Sequence, residues 1–397
     1  MVAILALTQF TVVLDFMVMS PLGDLLMKDL QVKPYQFGIV VSCYALAAGL
    51  SGFMTAGFAD RFDRKRLLVF FYSGFIIGTL CCGLAHTYTQ LVLARIFTGI
   101  FGGVMSSIAM AIVADLFSLQ QRGRVMGFMQ MGFGLSQILG IPISLYIASK
   151  STWQIPFYMI VCLSLVMFLT ILFGLKPVRA HLDQQTERSA FKHLLATIKN
   201  RNYRIGFMAT AFMSLGGYFM MPWGSAFAVN NVGLSQAQLP LLFMVVGIST
   251  FMIMPLIGLL ADKINKFRLF MGASILMIFS VLVYVHLGQT TLFVLILVNI
   301  FMMGGIMARM VPSQALTSSV PEIHDRGAFM SINSSLQQIA GGIAAIIGGK
   351  IVWQQSPSAP LMNFDILGYV VVAVILVNIY LTHRVYQYVA SKNKEAA

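Results

Sequence analysis

Charge is what this sequence has least of. Only 10% of its 397 residues are Asp, Glu, Lys or Arg, whereas 58% are hydrophobic, and soluble domains carry roughly a quarter charged residues. Water is therefore not the main solvent of this chain. Cysteine is also scarce: Cys43, Cys81, Cys82 and Cys162 all fall inside apolar runs, where they act as small apolar side chains and imply no disulfide framework. The six His lie in loops or at the ends of such runs, and no H-E-x-x-H or G-x-S-x-G occurs. Gly348-Gly349-Lys350 resembles a phosphate loop only superficially, because Ala344 takes the leading glycine position and Ile351 follows the lysine. An enzyme, a bound metal and a cofactor are accordingly not expected.

What the chain does have is apolar length. Runs of the ~20 residues needed to cross a ~30 Å hydrocarbon core recur throughout. They fall at 2–22, 35–58, 67–86, 90–116, 124–148, 154–175, 205–228, 239–260, 269–287, 291–317, 327–352 and 364–383, so the spacing predicts an all-α membrane protein of twelve transmembrane helices. The first run lacks a basic flank and a small-residue cleavage site before Asp24, so it reads as a retained helix.

A net charge of +13 could indicate nucleic acid, but the positions of the bases decide otherwise. With the N-terminus placed inside, all but six of the 26 Lys and Arg fall in cytoplasmic segments. Lys28, Lys33, Lys150 and Lys350 lie outside, and Arg95 and Arg309 within spans. This is the positive-inside bias, and it predicts cytoplasmic termini and anionic lipid, not nucleic acid, as the partner of the basic face.

One long polar stretch, residues 176–204, divides the chain into 1–175 and 205–397, each with six spans. Within it Phe191, Leu194, Leu195 and Ile198 recur at helical spacing beside Lys192, Lys199 and Arg201, a pattern for a helix on the inner leaflet. The two halves repeat. Asp60-Arg-Phe-Asp-Arg-Lys-Arg66 and Asp262-Lys-Ile-Asn-Lys-Phe-Arg268 share the pattern acid, base, x, Asp or Asn, base, x, Arg. Arg122-Gly123 recurs as Arg326-Gly327 at nearly the same offset. Duplicated six-helix units predict two bundles with a solute path between them near the midplane.

The chain resembles the major facilitator superfamily over nearly its whole length. Ala56-Gly-Phe-Ala-Asp60-Arg61-Phe-Asp63-Arg64-Lys65 is similar to that family's G-x-L-A-D-R-x-G-R-R loop, and Gly258-Leu-Leu-Ala-Asp262 keeps the opening in the second half. Arg95-Ile-Phe-Thr98-Gly99-Ile-Phe-Gly102-Gly103 is similar to R-x-x-Q-G-x-G. Gly134-Leu-Ser-Gln-Ile-Leu-Gly140-Ile-Pro142 looks like the helix-bending Gly-Pro motif of the antiporter branches, though Ile-Ser follows Pro142 in place of the glycines expected there. The nearest flavour is the drug and sugar efflux permeases. The resemblance implies a monomeric secondary transporter in the inner membrane that exchanges a small solute for protons by alternating access. An importer, a uniporter, or a transporter-like sensor or assembly subunit without flux are the alternatives.

The resemblance also implies an inner latch. Asp60, with Arg61 and Arg64, would meet the N-terminus of the eleventh helix, and Asp262, with Lys263 and Lys266, that of the fifth, each carboxylate facing a helix dipole of the other bundle. The residues themselves point to a second site. Asp15 and Arg95 lie at similar depth inside spans, where an isolated charge is expensive and finds a partner. They are expected to pair, either for proton coupling, with Asp15 as the titrating member, or as a purely structural ion pair. Candidate cavity residues are Thr8 and Thr11 on the Asp15 face, Gln130 and Gln137, Asn333 and Gln337, Tyr218 and Trp223, and Arg309, which either snorkels to the inner boundary or faces the path. Each of the polar ones has an interhelical hydrogen bond as its alternative role.

Overall fold

The computed structural model describes the chain apart from residues 56–58, 60–61, 118, 179–189 and 396–397, and side chains apart also from those of 119–120, 122–124, 130, 190–192, 323 and 393–395. The first half runs α1 (Val2–Val18), α2 (Gly23–Asp29), α3 (Pro34–Thr55), α4 (Arg64–Gly83), α5 (Tyr88–Gly102), α6 (Met105–Leu116), α7 (Leu119–Leu135), α8 (Ile141–Lys150) and α9 (Ile155–Gly174). After α10 (Ala190–Lys199) come α11 (Arg204–Tyr218), α12 (Gly224–Asn230), α13 (Leu239–Lys263), α14 (Lys266–Val285), α15 (Leu292–Thr317), α16 (Arg326–Ile351) and α17 (Phe364–Glu395).

Among the described residues ten helical stretches are long and apolar enough to cross a membrane, and the bent pair α1–α2, turning by 55°, makes an eleventh. The remaining expected span is α16. Its 26 residues are long enough, but Asn333, Gln337, Gln338 and its glycines lower its mean hydropathy. The twelve-helix layout is thus consistent with the fold, while several boundaries differ from the sequence expectation. The first span ends at Val18 and bends, the fourth breaks between α5 and α6 at Gly103, and the last helix continues to Glu395, not 383. Phe173, Phe279 and Phe293 stand exposed while Asp15, Arg95 and Arg309 are buried, the inverse of a soluble protein and the distribution that lipid selects.

Local chemistry explains the helix starts. Asp63 caps α4 by accepting from Lys65 N, and Asn265 caps α14 by accepting from Phe267 N and Arg268 N. These are the Asp-or-Asn positions of the repeated loop, and their backbone angles are nearly identical, φ −54° with ψ 123° against φ −53° with ψ 124°. A short side-chain oxygen at that position satisfies orphan N–H groups where the helix re-enters the apolar layer.

The halves meet along two seams. At α3 against α16 the backbones touch: a Cβ on Gly38 would lie 2.6 Å from Ala345 O, and one on Gly49 2.8 Å from Ser335 O. At α13 against α7–α8, a Cβ on Gly247 would lie 2.9 Å from Gln137 O. One apolar cluster, including Leu14, Leu22, Phe37, Phe219, Trp223 and Phe364, joins both halves at the end of the molecule that carries α2 and α12. At the opposite end the described apolar residues form two clusters, Leu5 to Leu175 in the first half and Leu194 to Val385 in the second. Packing between the halves is therefore concentrated at the α2–α12 end.

The candidate charge-pair site and its surroundings

Helix α1 packs against α7 and α9, and its buried residues include Leu5, Thr8, Thr11, Val12 and Asp15. Arg95 extends from α5, and its Nη1 donates to Asp15 Oδ2 at 2.8 Å, with both side chains fully buried. Thr79 Oγ1, from α4, donates to Asp15 Oδ1 at 3.1 Å. The Arg95 guanidinium lies 4.3 Å over the Tyr44 ring of α3, a cation–π contact in a water-poor setting. Arg95 Nε and Nη2 are buried without a hydrogen-bond partner. The pair is thus clasped by four helices, and one edge of the arginine keeps unspent hydrogen-bonding capacity.

From this pair an aromatic path leads to the other half. Phe16 lies 5.2 Å from Tyr44 and 6.1 Å from Tyr218 of α11, measured between ring centroids. Tyr218 in turn packs on Gly341 of α16. Phe16, Tyr44 and Thr79 were not singled out in the sequence. Only their offsets along helices whose register is known would have placed them beside Asp15 and Arg95.

The structure does not bring the other candidates together. Thr8 Oγ1 donates to Ile4 O, and Thr11 Oγ1 bonds to Thr8 O and the Tyr72 hydroxyl of α4, so this face of α1 turns into its own bundle and not toward a cavity. Trp223 is fully buried, donates to Phe219 O and meets Phe37 edge-on at 5.9 Å, filling the seam instead of lining a cavity. Arg309 does not snorkel. It is 2% exposed, and its Nε and Nη2 donate to Ser274 Oγ at 3.1 Å and Asn378 Oδ1 at 3.0 Å, over the Phe270 ring. Its named partners all belong to its own half, so the expectation of a charge at the boundary or in the path gives way to one tied into α14 and α17.

Gln137 sits at the α13 seam, Asn333 is buried with Oδ1 unpartnered, and Gln337 is half-buried on α16. The Gln130 side chain lies outside the described residues. Between α7 and α8 the chain takes a π turn, Ser136–Gly140, in which Ile141 N bonds to Ser136 O. Pro142 follows at the start of α8, and a proline there lacks the N–H that an unbroken α-helix would need. Gly134 meets Phe251 of α13, and Gly140 meets Leu14 of α1.

Of the latch residues, Asp60 and Arg61 lie outside the described residues. Arg64 Nε donates to Asp115 Oδ2 at 3.0 Å and its Nη1 to Ala59 O, an ion pair inside the first half. Asp262, Lys263 and Lys266 are exposed. Helix α10 packs through buried Leu194 and Thr197 against the second half, leaving Leu195 and Ile198 exposed, so it docks on protein as well as presenting a face outward. His193 bonds to Asp325 at 2.7 Å, and the Tyr203 hydroxyl donates to the same carboxylate at 2.7 Å.

A helical membrane protein whose halves meet along glycine-lined seams, with a fully buried charge pair beside them, is by class a membrane-embedded carrier. The profile of the Major Facilitator Superfamily matches residues 5–345, and the chain belongs to that family. It is a secondary transporter, not an enzyme. The uncharacterized MFS-type transporter YbcL of Bacillus subtilis (strain 168) is 26% identical over 361 residues, 88% of each chain. Multidrug resistance protein 3 of the same organism is 36% identical over 124 residues, 31% of this chain and 24% of that protein. The crystal structure of a bacterial homologue of the human lysosomal transporter Spinster, inward-facing and unoccupied, shares the fold with a TM-score of 0.77 at 14% identity, covering 98% of this chain and 97% of that one.

Proposed function

We propose that the chain is a proton-coupled exporter of a small solute in the plasma membrane, with Asp15 as the proton-carrying group and Arg95 as its partner. The observation that carries this reading is the Asp15–Arg95 pair itself, fully buried, with Thr79 completing the carboxylate's contacts. An arginine keeps its proton at any physiological pH, so the aspartate is the member able to exchange one. Protonating Asp15 dissolves the ion pair that ties α1 to α5. Because Phe16 adjoins Asp15 and reaches Tyr218 of the other half, a change at the pair is transmitted to the seam. A proton bound in one state and released in the other biases the equilibrium between them. The efflux direction draws on the Gly134–Pro142 motif and on the likeness to a multidrug resistance protein.

The test is transport in vesicles of known orientation, with and without a pH gradient, using solutes first identified by thermal stabilisation of the purified protein. Asp15→Asn is expected to abolish accumulation against a gradient while binding and downhill exchange survive. Full gradient-driven transport by Asp15→Asn would remove the residue from coupling.

A further inference from the structure

Among the described residues, side-chain hydrogen bonds join the two halves at Asp24, outside the motifs read from the sequence. Asp24, in the short helix α2, is fully buried. Its Oδ1 accepts from Asn230 Nδ2 of α12 at 2.6 Å, and its Oδ2 accepts from Lys28 Nζ at 2.8 Å and from Gln236 Nε2. Two of these three donors come from the second half, more than 200 residues away in sequence. Nearby, Ser225 Oγ of α12 donates to Ser20 O at 2.9 Å.

Each side of this contact is braced to its own half. Asp29, at the end of α2, accepts from Trp153 Nε1 at 2.7 Å, which ties α2 to the turn before α9. Asn231, next to Asn230, bonds through both its amide atoms to Leu361, ahead of α17. When one half moves relative to the other, Asp24 and its two amide partners must therefore part with it.

The chemistry suits a contact that is made and broken repeatedly. Lys28, on the same helix, stays with Asp24 through the motion, so the carboxylate is never left without a cation. The amides of Asn230 and Gln236 carry no charge, and water can replace them at an end of the molecule that opens to solvent. A net hydrogen bond exchanged with water contributes modestly, which keeps the two states close in energy.

We propose that Asp24 is the lock of the α2–α12 end: its carboxylate holds that end shut through Asn230 and Gln236, and its release from them is a required step of opening. The proposal rests on the chain being an alternating-access carrier, and not on its coupling ion or direction.

The experiment reads accessibility, so it is independent of flux. In a variant lacking Cys43, Cys81, Cys82 and Cys162, a single Ser20→Cys serves as reporter. Ser20 is 4% exposed, and its own hydroxyl makes no hydrogen bond, so the change is nearly silent. Asp24→Ala is expected to raise the rate of modification by an impermeant thiol reagent about tenfold, equivalent to losing about 1.4 kcal/mol of net hydrogen bonding. Asn230→Ala with Gln236→Ala, which leaves Asp24 and Lys28 in place, is expected to do the same from the other side of the contact and covers the case in which Asp24→Ala does not accumulate. An unchanged rate in the Asn230/Gln236 double variant, or lower thermal stability with no change in accessibility, would overturn the lock. If transport is absent in the parent as well, the carrier reading fails, and the accessibility result still stands apart from it.

Discussion

At the scale of single residues, the two buried arginines make a controlled comparison. Arg95 faces a carboxylate, whereas the named partners of Arg309 are the neutral Ser274 and Asn378. Removing one member of a buried ion pair strands the other, at a cost of about 3–5 kcal/mol. Arg95→Leu should therefore lower the thermal stability of the purified protein more than Arg309→Leu, which strands only neutral groups. Equal losses, measured in one detergent, would contradict this. Asp15→Asn combined with Arg95→Gln should recover much of the stability lost by Arg95→Leu without recovering uphill transport. Much of this site was legible in the sequence, because Asp15 and Arg95 stand out as rare charges in apolar runs. Tyr44 and Thr79 did not stand out, since a hydroxyl in a span has a hydrogen bond within its own helix as its ordinary role. Asp24 was hidden for another reason: near a span end an acid costs little, so its burial is known only once α12 is placed over it.

At the scale of elements, breaks and docking contacts predict behaviour. The π turn before Pro142 interrupts the helix that faces α13, and Pro142→Ala restores the missing N–H donor. That variant should accumulate normally and transport more slowly, as judged by initial rates at matched membrane abundance. Helix α10 makes a different prediction. Burial alone would raise the Asp325 carboxyl, but hydrogen bonds from His193 and Tyr203 outweigh it and hold it below the usual carboxylate range. Its contribution to docking is present above the unfolded-state value and is lost as pH falls through the depressed one. Burial pushes the Tyr203 hydroxyl up to about 12, so it remains a donor across the physiological range. Hydrogen exchange in α10 should accelerate as pH falls into the acid range once intrinsic rates are removed, and Asp325→Asn should abolish that dependence. The helix itself was visible in the spacing of Leu194, Leu195 and Ile198. Its docking partner was not, because the pattern of an amphipathic helix does not say whether lipid or protein covers it.

At the scale of the whole molecule, the seam between α3 and α16 leaves no room for a Cβ at Gly38 or Gly49. A backbone carbonyl, Ala345 O, stands nearest Gly38 and cannot yield as a flexible side chain would, while Gly49 faces both Ile339 Cγ1 and Ser335 O. Gly38→Val, which would press on Ala345 O and Trp223, should therefore wedge the α2–α12 end open, slowing transport at normal abundance while raising the labelling of a Ser20→Cys reporter. A normal labelling rate would place the flexibility elsewhere. The twelve-span architecture was readable because apolar length and basic loops obey the bilayer regardless of the partner each helix finds. The end at which the halves are joined was not, since the repeat makes the two halves alike and gives no preference for either state.

The bond from Asn230 to Asp24 crosses 206 residues of sequence, and that distance is also an interval of time. Chains lengthen at roughly 5–20 residues per second, so the ribosome adds the intervening stretch on the order of 10 to 40 s after Asp24 has been made. Until α12 has been made, Lys28 is the one of Asp24's three donors that the chain already contains. The nascent first bundle must tolerate an unfastened edge until α12 emerges, which makes Lys28 a guardian of assembly as well as a neighbour in the finished protein. Lys28→Met should accordingly lower the yield of inserted protein in a pulse-chase experiment more than it lowers the stability of the molecules that reach the mature form.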